Sequence, residues 1–398
     1  MKSDKKVSIS IFILCILFFQ IGALFCMNDV IFPIVKEQFQ LTFVQTTMIQ
    51  LIFYAVYIPF PLLIEKIVSK FGYIFSLKIG ILFCFLGSAT FGLLNFEHTF
   101  LVILASLFLL SFGIVVMNTA AMPYTALIGN ENLAQFRTNL VQVFSRLGYS
   151  AAPLAANYLI FLPGNFGGLD KPYLLLSVFF MIILVLIFTF KLPDPHTIEI
   201  QNLPFKAQFN KMMQIPHLYF GVIAMFFYLG AEAGTASFFM NYLMDKNIAS
   251  FSIEKATLYL TYYNVASTVM GFIGLGLIKY FPANRVLALF GIIMIILLSI
   301  CITMQSDYIP MVLVSVGGFL SIMFPTVYGL AIRNLGNFSS FGAAWVSMAI
   351  AGGAFFPVIQ GYIADNFGVR LSYSIPAICV GYVVVYAMFL SKVKVKST

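Results

Sequence analysis

The chain has 398 residues, 61% of them hydrophobic and only 9% charged, and its mean hydropathy is +0.99. These values exclude an ordinary soluble domain, in which about 45–50% of residues are apolar and about 25% are charged. The net charge of +8 does not indicate nucleic-acid binding, because the basic residues are spread along predicted loops and do not cluster with aromatic residues.

Apolar runs separated by charged or Gly- and Pro-rich segments predict twelve membrane-spanning helices. The runs have the length of about 20 residues that crosses a bilayer as a helix, and they lack the short alternating pattern of barrel strands. The first run exceeds a signal-peptide core and has no small-residue cleavage site, so we expect it to be retained. The predicted spans are 8–34, 42–65, 73–95, 99–127, 137–161, 173–191, 217–243, 254–279, 285–304, 308–332, 340–364 and 370–391.

The distribution of basic residues predicts that both termini are cytoplasmic. Of the 22 Lys and Arg residues, this orientation places sixteen on the cytoplasmic side and five on the other, with Arg146 inside a span. Cytoplasmic loops of membrane proteins carry an excess of Lys and Arg. We expect a multi-pass protein of the plasma membrane, which in a bacterium is the inner membrane.

A polar stretch after the sixth span divides the chain into two predicted halves. We expect an N-terminal six-helix half (1–191), a cytoplasmic linker (192–216) and a C-terminal six-helix half (217–398). A faint repeat supports related halves, because "GYSAAPLAANY" (148–158) and "GGAFFPVIQGY" (352–362) each place Pro five residues after Gly. Two pseudo-symmetric six-helix halves around one cavity are typical of a major-facilitator transporter. The predicted fold class is therefore an all-α membrane protein with the major-facilitator fold.

Three ionisable side chains lie well inside predicted spans: Asp29 in "LFCMNDVIFP", Arg146 and Glu232. A charge at membrane depth costs at least about 2.5 kcal/mol, so we expect these groups to face the protein interior. Intramembrane acids are functional by default, which makes Asp29 and Glu232 candidates for proton coupling, with Arg146 as charge partner. The alternative is a structural role, as a static ion pair or as a carboxylate that Asn28 caps.

Polar side chains in several spans are candidates for binding a solute. Gln142, Ser145, Arg146 and Tyr149 follow an i, i+3, i+4, i+7 pattern and share one helical face. Amide, hydroxyl and aromatic groups around a water-filled cleft suit a polyhydroxylated ligand. For each residue the alternative is hydrogen bonding or packing between helices. The predicted substrate-binding set is Asn28, Asn118, Gln142, Ser145, Arg146, Tyr149, Tyr228, Glu232 and Trp345.

The sequence indicates no cofactor, metal site or enzyme. It has no G-x-x-x-x-G-K-[ST] motif for ATP, so transport would be driven by an ion gradient. The five cysteines lie in apolar runs without paired spacing, and the three histidines are far apart, which argues against disulfides and metal binding. The spans carry no nucleophile–base pair for catalysis.

Five stretches resemble the fucose-galactose-glucose:proton symporter family of the major facilitator superfamily. They are spread over both halves, so the resemblance covers essentially the whole chain. The stretches are "MNDVIFP" (27–33), "AAMPYTALIG" (120–129) with "FRTNLVQVFSRLG" (136–148), "YLGAEAGTASFFMNYL" (228–243), "FPTVYGLAIRNLG" (324–336) and "AGGAFFPVIQGYIAD" (351–365).

The resemblance implies proton-driven uptake of a neutral monosaccharide by alternating access, with Asp29 as the protonated residue. The chain departs from the family pattern in the fourth span. Asn118 holds the polar position there, and Met122 stands where the family has Asn before Pro123.

A second departure lies in the fifth span. Gln142 is retained, but Ser145 and Arg146 replace the Asn-Ser pair of the family. A cationic Arg146 at this place indicates either an anionic ligand or neutralisation of Asp29 or Glu232.

We predict a secondary active transporter, a proton-coupled symporter that imports a small polar solute, namely a monosaccharide or sugar derivative. Its expected partners are the solute, protons and the lipid bilayer, with no nucleic acid, and we expect a monomer. One alternative is a proton-coupled exporter, an antiporter of an amphipathic metabolite, siderophore or drug. Another is a receptor that binds a solute without transporting it.

Overall fold

The computed structural model describes residues 2–93, 100–129, 134–160, 168–190, 192–194, 205–333, 335 and 339–392. Within these ranges the regular structure is helical and contains no strand. The α-helices are α1 (Lys2–Gln38), α2 (Phe43–Thr46), α3 (Met48–Ala55), α4 (Phe60–Phe71), α5 (Tyr73–Leu93), α6 (Phe100–Leu127), α7 (Ala134–Ile160), α8 (Asp170–Thr189), α9 (Phe205–Met213), α10 (Pro216–Met244), α11 (Ile253–Tyr280), α12 (Ala283–Thr303), α13 (Ile309–Leu320), α14 (Met323–Ile332), α15 (Ser339–Met348), α16 (Gly352–Phe367), α17 (Val369–Ser372) and α18 (Ser374–Met388).

The predicted spans are confirmed as helices, with boundaries shifted by a few residues. In the described part of the chain, eleven helical stretches are long and apolar enough to cross a membrane. The remaining predicted span, 137–161, coincides with α7, which is 27 residues long but is not among the eleven. Its polar side chains, including Gln142 and Arg146, lower its hydropathy.

Prolines account for two interruptions of the predicted spans. A proline ring clashes with the carbonyl group four residues earlier and removes a backbone donor. Helix α3 accordingly ends at Ala55, four residues before Pro59. Helix α13 ends at Leu320, directly before Ser321, which lies four residues before Pro325. The spans 42–65 and 308–332 are therefore each built from helical segments joined by short breaks.

The chain forms two compact units. The first consists of Met1–Ile34 and Pro59–Ile200, and the second of Val35–Ile58 and Gln201–Thr398. The division predicted from the sequence, with halves over 1–191 and 217–398, stays a prediction. Within the predicted linker, α9 is helical, and residues 195–204 lie outside the described residues.

In the first unit, α1 and α7 approach each other through two glycines. A Cβ atom on Gly148 would overlap the backbone carbonyl oxygen of Phe19, and one on Gly22 would overlap that of Ser145. Small residues let helix backbones approach closely in a membrane, where apolar side chains gain little by leaving lipid. No residue larger than glycine fits this crossing without displacing a backbone.

In the second unit, α10 meets the start of α16 in the same way. A Cβ atom on Gly352 would overlap the carbonyl oxygen of Phe226, and one on Gly230 would overlap the Phe356 side chain. Gly148 and Gly352 are the glycines of the repeat found in the sequence. Each therefore marks a backbone contact with the first long helix of its predicted half.

The outward faces of the helices are apolar. On α8, Val178, Ile182 and Val185 are all about half exposed and follow an i, i+4, i+7 pattern. Such a stripe on a soluble protein would be an aggregation surface, whereas lipid tails cover it in a bilayer.

We predict that Gly148→Val destabilises the protein, whereas Gly276→Val has little effect. Both positions lie inside helices, but a Cβ atom on Gly276 meets nothing within 4 Å. The crowded substitution should lower the free energy of unfolding by at least about 1–3 kcal/mol, the usual range for overpacking. Thermal unfolding in detergent measures the difference, and equal melting temperatures for the two variants would contradict the crossing.

Candidate functional site

Asp29 lies in α1, and its carboxylate is buried in the first unit. Its side chain is 3% exposed, and the neighbouring Asn28 is 1% exposed. The hydroxyl of Tyr149 on α7 donates a hydrogen bond of 2.8 Å to Oδ2 of Asp29. The structure thus joins two residues that the sequence assigns to different roles, Asp29 to proton coupling and Tyr149 to solute binding.

The glycine crossing explains why these two helices hold the pair. Tyr149 directly follows Gly148, whose missing side chain lets the α7 backbone reach the α1 backbone. The phenol can then extend along α1 to the carboxylate. A hydrogen bond to an ionised acceptor is stronger than one between neutral groups, so Tyr149 is a suitable partner for an ionised Asp29.

The other predicted polar residues of the first unit lie on α6 and α7. Ser145, Arg146 and Asn118 are half-buried, and Gln142 is exposed. Nε2 of Gln142 lies 3.4 Å from Sδ of Met122, the methionine that departs from the family pattern. A thioether sulfur is only a weak acceptor, so this amide remains able to exchange partners.

The second unit contains a comparable pair. Tyr228, which is fully buried on α10, donates a hydrogen bond of 2.7 Å to Oε1 of the half-buried Glu232 one turn later. The i, i+4 spacing puts both side chains on one helical face. Each unit therefore holds a carboxylate that accepts a hydrogen bond from a tyrosine hydroxyl.

Trp345 is buried and packs against an aromatic ring of the predicted linker. It is 6% exposed at α15, and its ring centroid is 5.7 Å from that of Phe209 on α9. The aromatic contact links α15 to the helix within the predicted linker. A role of Trp345 in solute binding stays a prediction.

Several hydrogen-bonded polar groups of the second unit were not singled out from the sequence. Nε2 of Gln50 donates a hydrogen bond of 2.6 Å to Oγ of Ser237. The Asp365 carboxylate accepts hydrogen bonds from the first turn of α2. The partners of Asp365 lie more than 300 residues away, so local sequence patterns could not predict the contact. The only sequence signal for Asp365 was that it ends the quoted stretch "AGGAFFPVIQGYIAD".

Metal binding finds no support in the described part of the chain. There, no group of three His, Cys, Asp or Glu side chains is arranged to hold a metal ion. All five cysteines are buried free thiols.

Comparisons with known proteins find similarity along most of the chain. A family model described as Major Facilitator Superfamily matches residues 11–349. The glucose/galactose transporter of Brucella abortus biovar 1 (strain 9-941) is 32% identical over 397 residues, covering 98% of this chain and 96% of that protein. The L-fucose-proton symporter of Escherichia coli (strain K12) is 28% identical over 407 residues, covering 96% and 92%.

A solved structure extends the similarity to three dimensions. The crystal structure of the E. coli fucose:proton symporter matches with a TM-score of 0.72 at 25% sequence identity. The match covers 98% of this chain and 100% of that chain.

Proposed function

The chain belongs to the Major Facilitator Superfamily, and on this premise we propose that it is a proton-coupled symporter that imports a neutral monosaccharide by alternating access. The relatives described above are named as a glucose/galactose transporter and an L-fucose-proton symporter. We propose glucose or galactose as the solute, because the relative named for these sugars has the higher identity.

Family membership confirms three predictions made from the sequence. These predictions are the resemblance to sugar–proton symporters, the all-helical major-facilitator fold, and the class of transporter and not enzyme. We further propose that the protein lies in a bacterial inner membrane with both termini in the cytoplasm. The bias of Lys and Arg toward one side of the spans supports this orientation.

The observation that carries the proton-coupling part of the proposal is the buried Asp29 carboxylate with its hydrogen bond from Tyr149. An ionised carboxylate in a dry membrane interior is costly, whereas the protonated acid is neutral. The phenol of Tyr149 donates a hydrogen bond to this carboxylate. We propose that Asp29 alternates between a protonated form and an ionised form that accepts this hydrogen bond, as coupling to a proton gradient requires.

For the remaining predicted site residues, we propose roles from the chemistry of their side chains. Asn118, Gln142 and Ser145 offer amide and hydroxyl groups to sugar hydroxyls, and the weak Gln142–Met122 contact is easily replaced. Arg146 and Glu232 are proposed as charge partners in the coupling mechanism. Asn28, Tyr228 and Trp345 stay predicted solute contacts.

The function can be tested with purified protein in proteoliposomes. With an inward proton gradient, radiolabelled D-glucose or D-galactose should accumulate, and a protonophore should abolish accumulation. L-fucose, a sugar acid and an amino sugar serve as competitors. Accumulation of a sugar acid but of no neutral sugar would contradict the proposed solute class, and sugar extrusion would indicate an antiporter.

We predict that Asp29→Asn abolishes proton-driven accumulation but preserves sugar exchange across the membrane. Asparagine mimics the neutral, protonated acid in size and polarity, but it cannot release a proton. Asp307→Asn is the matched control, because Asp307 lies in an exposed loop between α12 and α13. Uptake and counterflow assays separate the two activities, and intact accumulation by Asp29→Asn would show that the coupling residue lies elsewhere.

We predict that Tyr149→Phe weakens coupling without weakening sugar binding. The substitution keeps the aromatic ring and removes the hydroxyl that donates to Asp29. Accumulation should fall, while the sugar dissociation constant stays within about twofold, well below the tenfold change that corresponds to about 1.4 kcal/mol. If the dissociation constant rose tenfold or more with coupling unchanged, Tyr149 would instead be a solute contact.

A further inference from the structure

The carboxylate of Asp365 joins two distant parts of the second unit. At the end of α16, Oδ1 accepts a hydrogen bond of 2.7 Å from the backbone N–H of Phe43, and Oδ2 accepts one of 2.9 Å from that of Val44. These donors open the short helix α2. Backbone N–H groups in a first helical turn have no intrahelical acceptor, and a negative charge complements them.

The first turn of α2 is otherwise complete. Thr42 and Gln45 form a capping box, in which the Thr42 hydroxyl accepts from the Gln45 N–H and the Gln45 side chain accepts from the Thr42 N–H. This box leaves the N–H groups of Phe43 and Val44, which Asp365 satisfies. The position of α2 thus depends on a residue of α16 and not on local capping alone.

Two glycines of α16 also bring its backbone close to α2 and α3. A Cβ atom on Gly361, one turn before Asp365, would lie 3.1 Å from the Phe43 carbonyl group and 3.0 Å from Cγ2 of Thr47. Farther along α16, a Cβ atom on Gly353 would lie 2.8 Å from the Tyr54 ring. Helix α16 therefore lies against both α2 and α3.

Helix α10 also contacts this segment. Gln50 on α3 donates its buried hydrogen bond to Ser237 on α10, and the Phe43 and Phe238 rings stack with centroids 5.5 Å apart. Segment 35–58 thus clusters with the second unit, although the residues on both sides of it in the chain belong to the first.

The packed arrangement also leaves polar groups unsatisfied. The Gln360 side-chain amide and the Thr235 hydroxyl are fully buried, and neither has a hydrogen-bond partner among the described residues. Burying a polar group without a partner opposes the packed state. The Asp365 hydrogen bonds, in contrast, are exposed and can exchange with water. The Asp365 hydrogen bonds are therefore the exchangeable part of this packing.

We propose that Asp365 is a latch that holds α2 and α3 against α16 and α10 on the extracellular side, and that its release is a step of the transport cycle. The proposal rests on the proposed transport function and orientation. The break between α3 and α4 at Pro59 supplies a hinge at one end of the segment. Release of the latch exposes Thr47 to water.

A cysteine reporter tests the latch directly. The five native cysteines are replaced, Thr47, which is fully buried, is changed to Cys, and a membrane-impermeant maleimide is added from the extracellular side. Asp365→Asn keeps the side-chain size but removes the charge and one of the two acceptors. The labelling rate should rise about tenfold, as expected for loss of a charged hydrogen bond. Asp307→Asn, an exposed acid on the same proposed side, should leave the rate unchanged.

A second variant perturbs the latch without touching its charge. In the same Thr47→Cys protein, Gly361→Val inserts a side chain against Phe43 and position 47 and should also raise the labelling rate. Gly381→Val is its control, because a Cβ atom there meets nothing within 4 Å. Unchanged labelling in both Asp365→Asn and Gly361→Val would overturn the latch.

The readout separates the latch from the proposed function, because labelling requires no solute. Faster labelling of the variants in a protein that accumulates no sugar would support the latch and contradict the sugar symport. Sugar accumulation by the wild type with unchanged labelling of both variants would support the symport and contradict the latch.

Discussion

Backbone-to-backbone contact between helices is the constraint on which the described structure depends. A bilayer removes the hydrophobic drive that packs helices in water, so close approach must come from small residues. Gly148 against α1 and Gly352 against α10 provide this approach in the two units.

Buried polar chemistry is concentrated beside those crossings. In the first unit, the residue after Gly148 is Tyr149, which reaches Asp29 on the partner helix. In the second, Gly230 lies between Tyr228 and Glu232 on α10. Close backbone contacts thus lie beside both tyrosine–carboxylate pairs.

The Asp365 contact is of a different physical kind. The glycine crossings bury backbone against backbone and have no exchangeable part, whereas Asp365 binds two exposed N–H groups that water can equally well satisfy. A transporter needs both kinds of contact. Under the latch proposed above, the glycine crossings stay closed while the Asp365 contact lets α2 and α3 change partners.

The sequence by itself determined the helical spans, the class of protein and the acids at membrane depth. These follow from local properties, because the length of an apolar run and the cost of a charge in lipid do not depend on distant residues. The Tyr228–Glu232 pair was also accessible, since i, i+4 neighbours share a helical face. Only the tertiary structure decided that Tyr149 is the partner of Asp29, that Trp345 packs on Phe209 and that Asp365 caps α2. The residues of each pair lie on helices far apart in the chain. Helix crossings bring them together, and the hydrophobic periodicity of a sequence does not predict which helices cross.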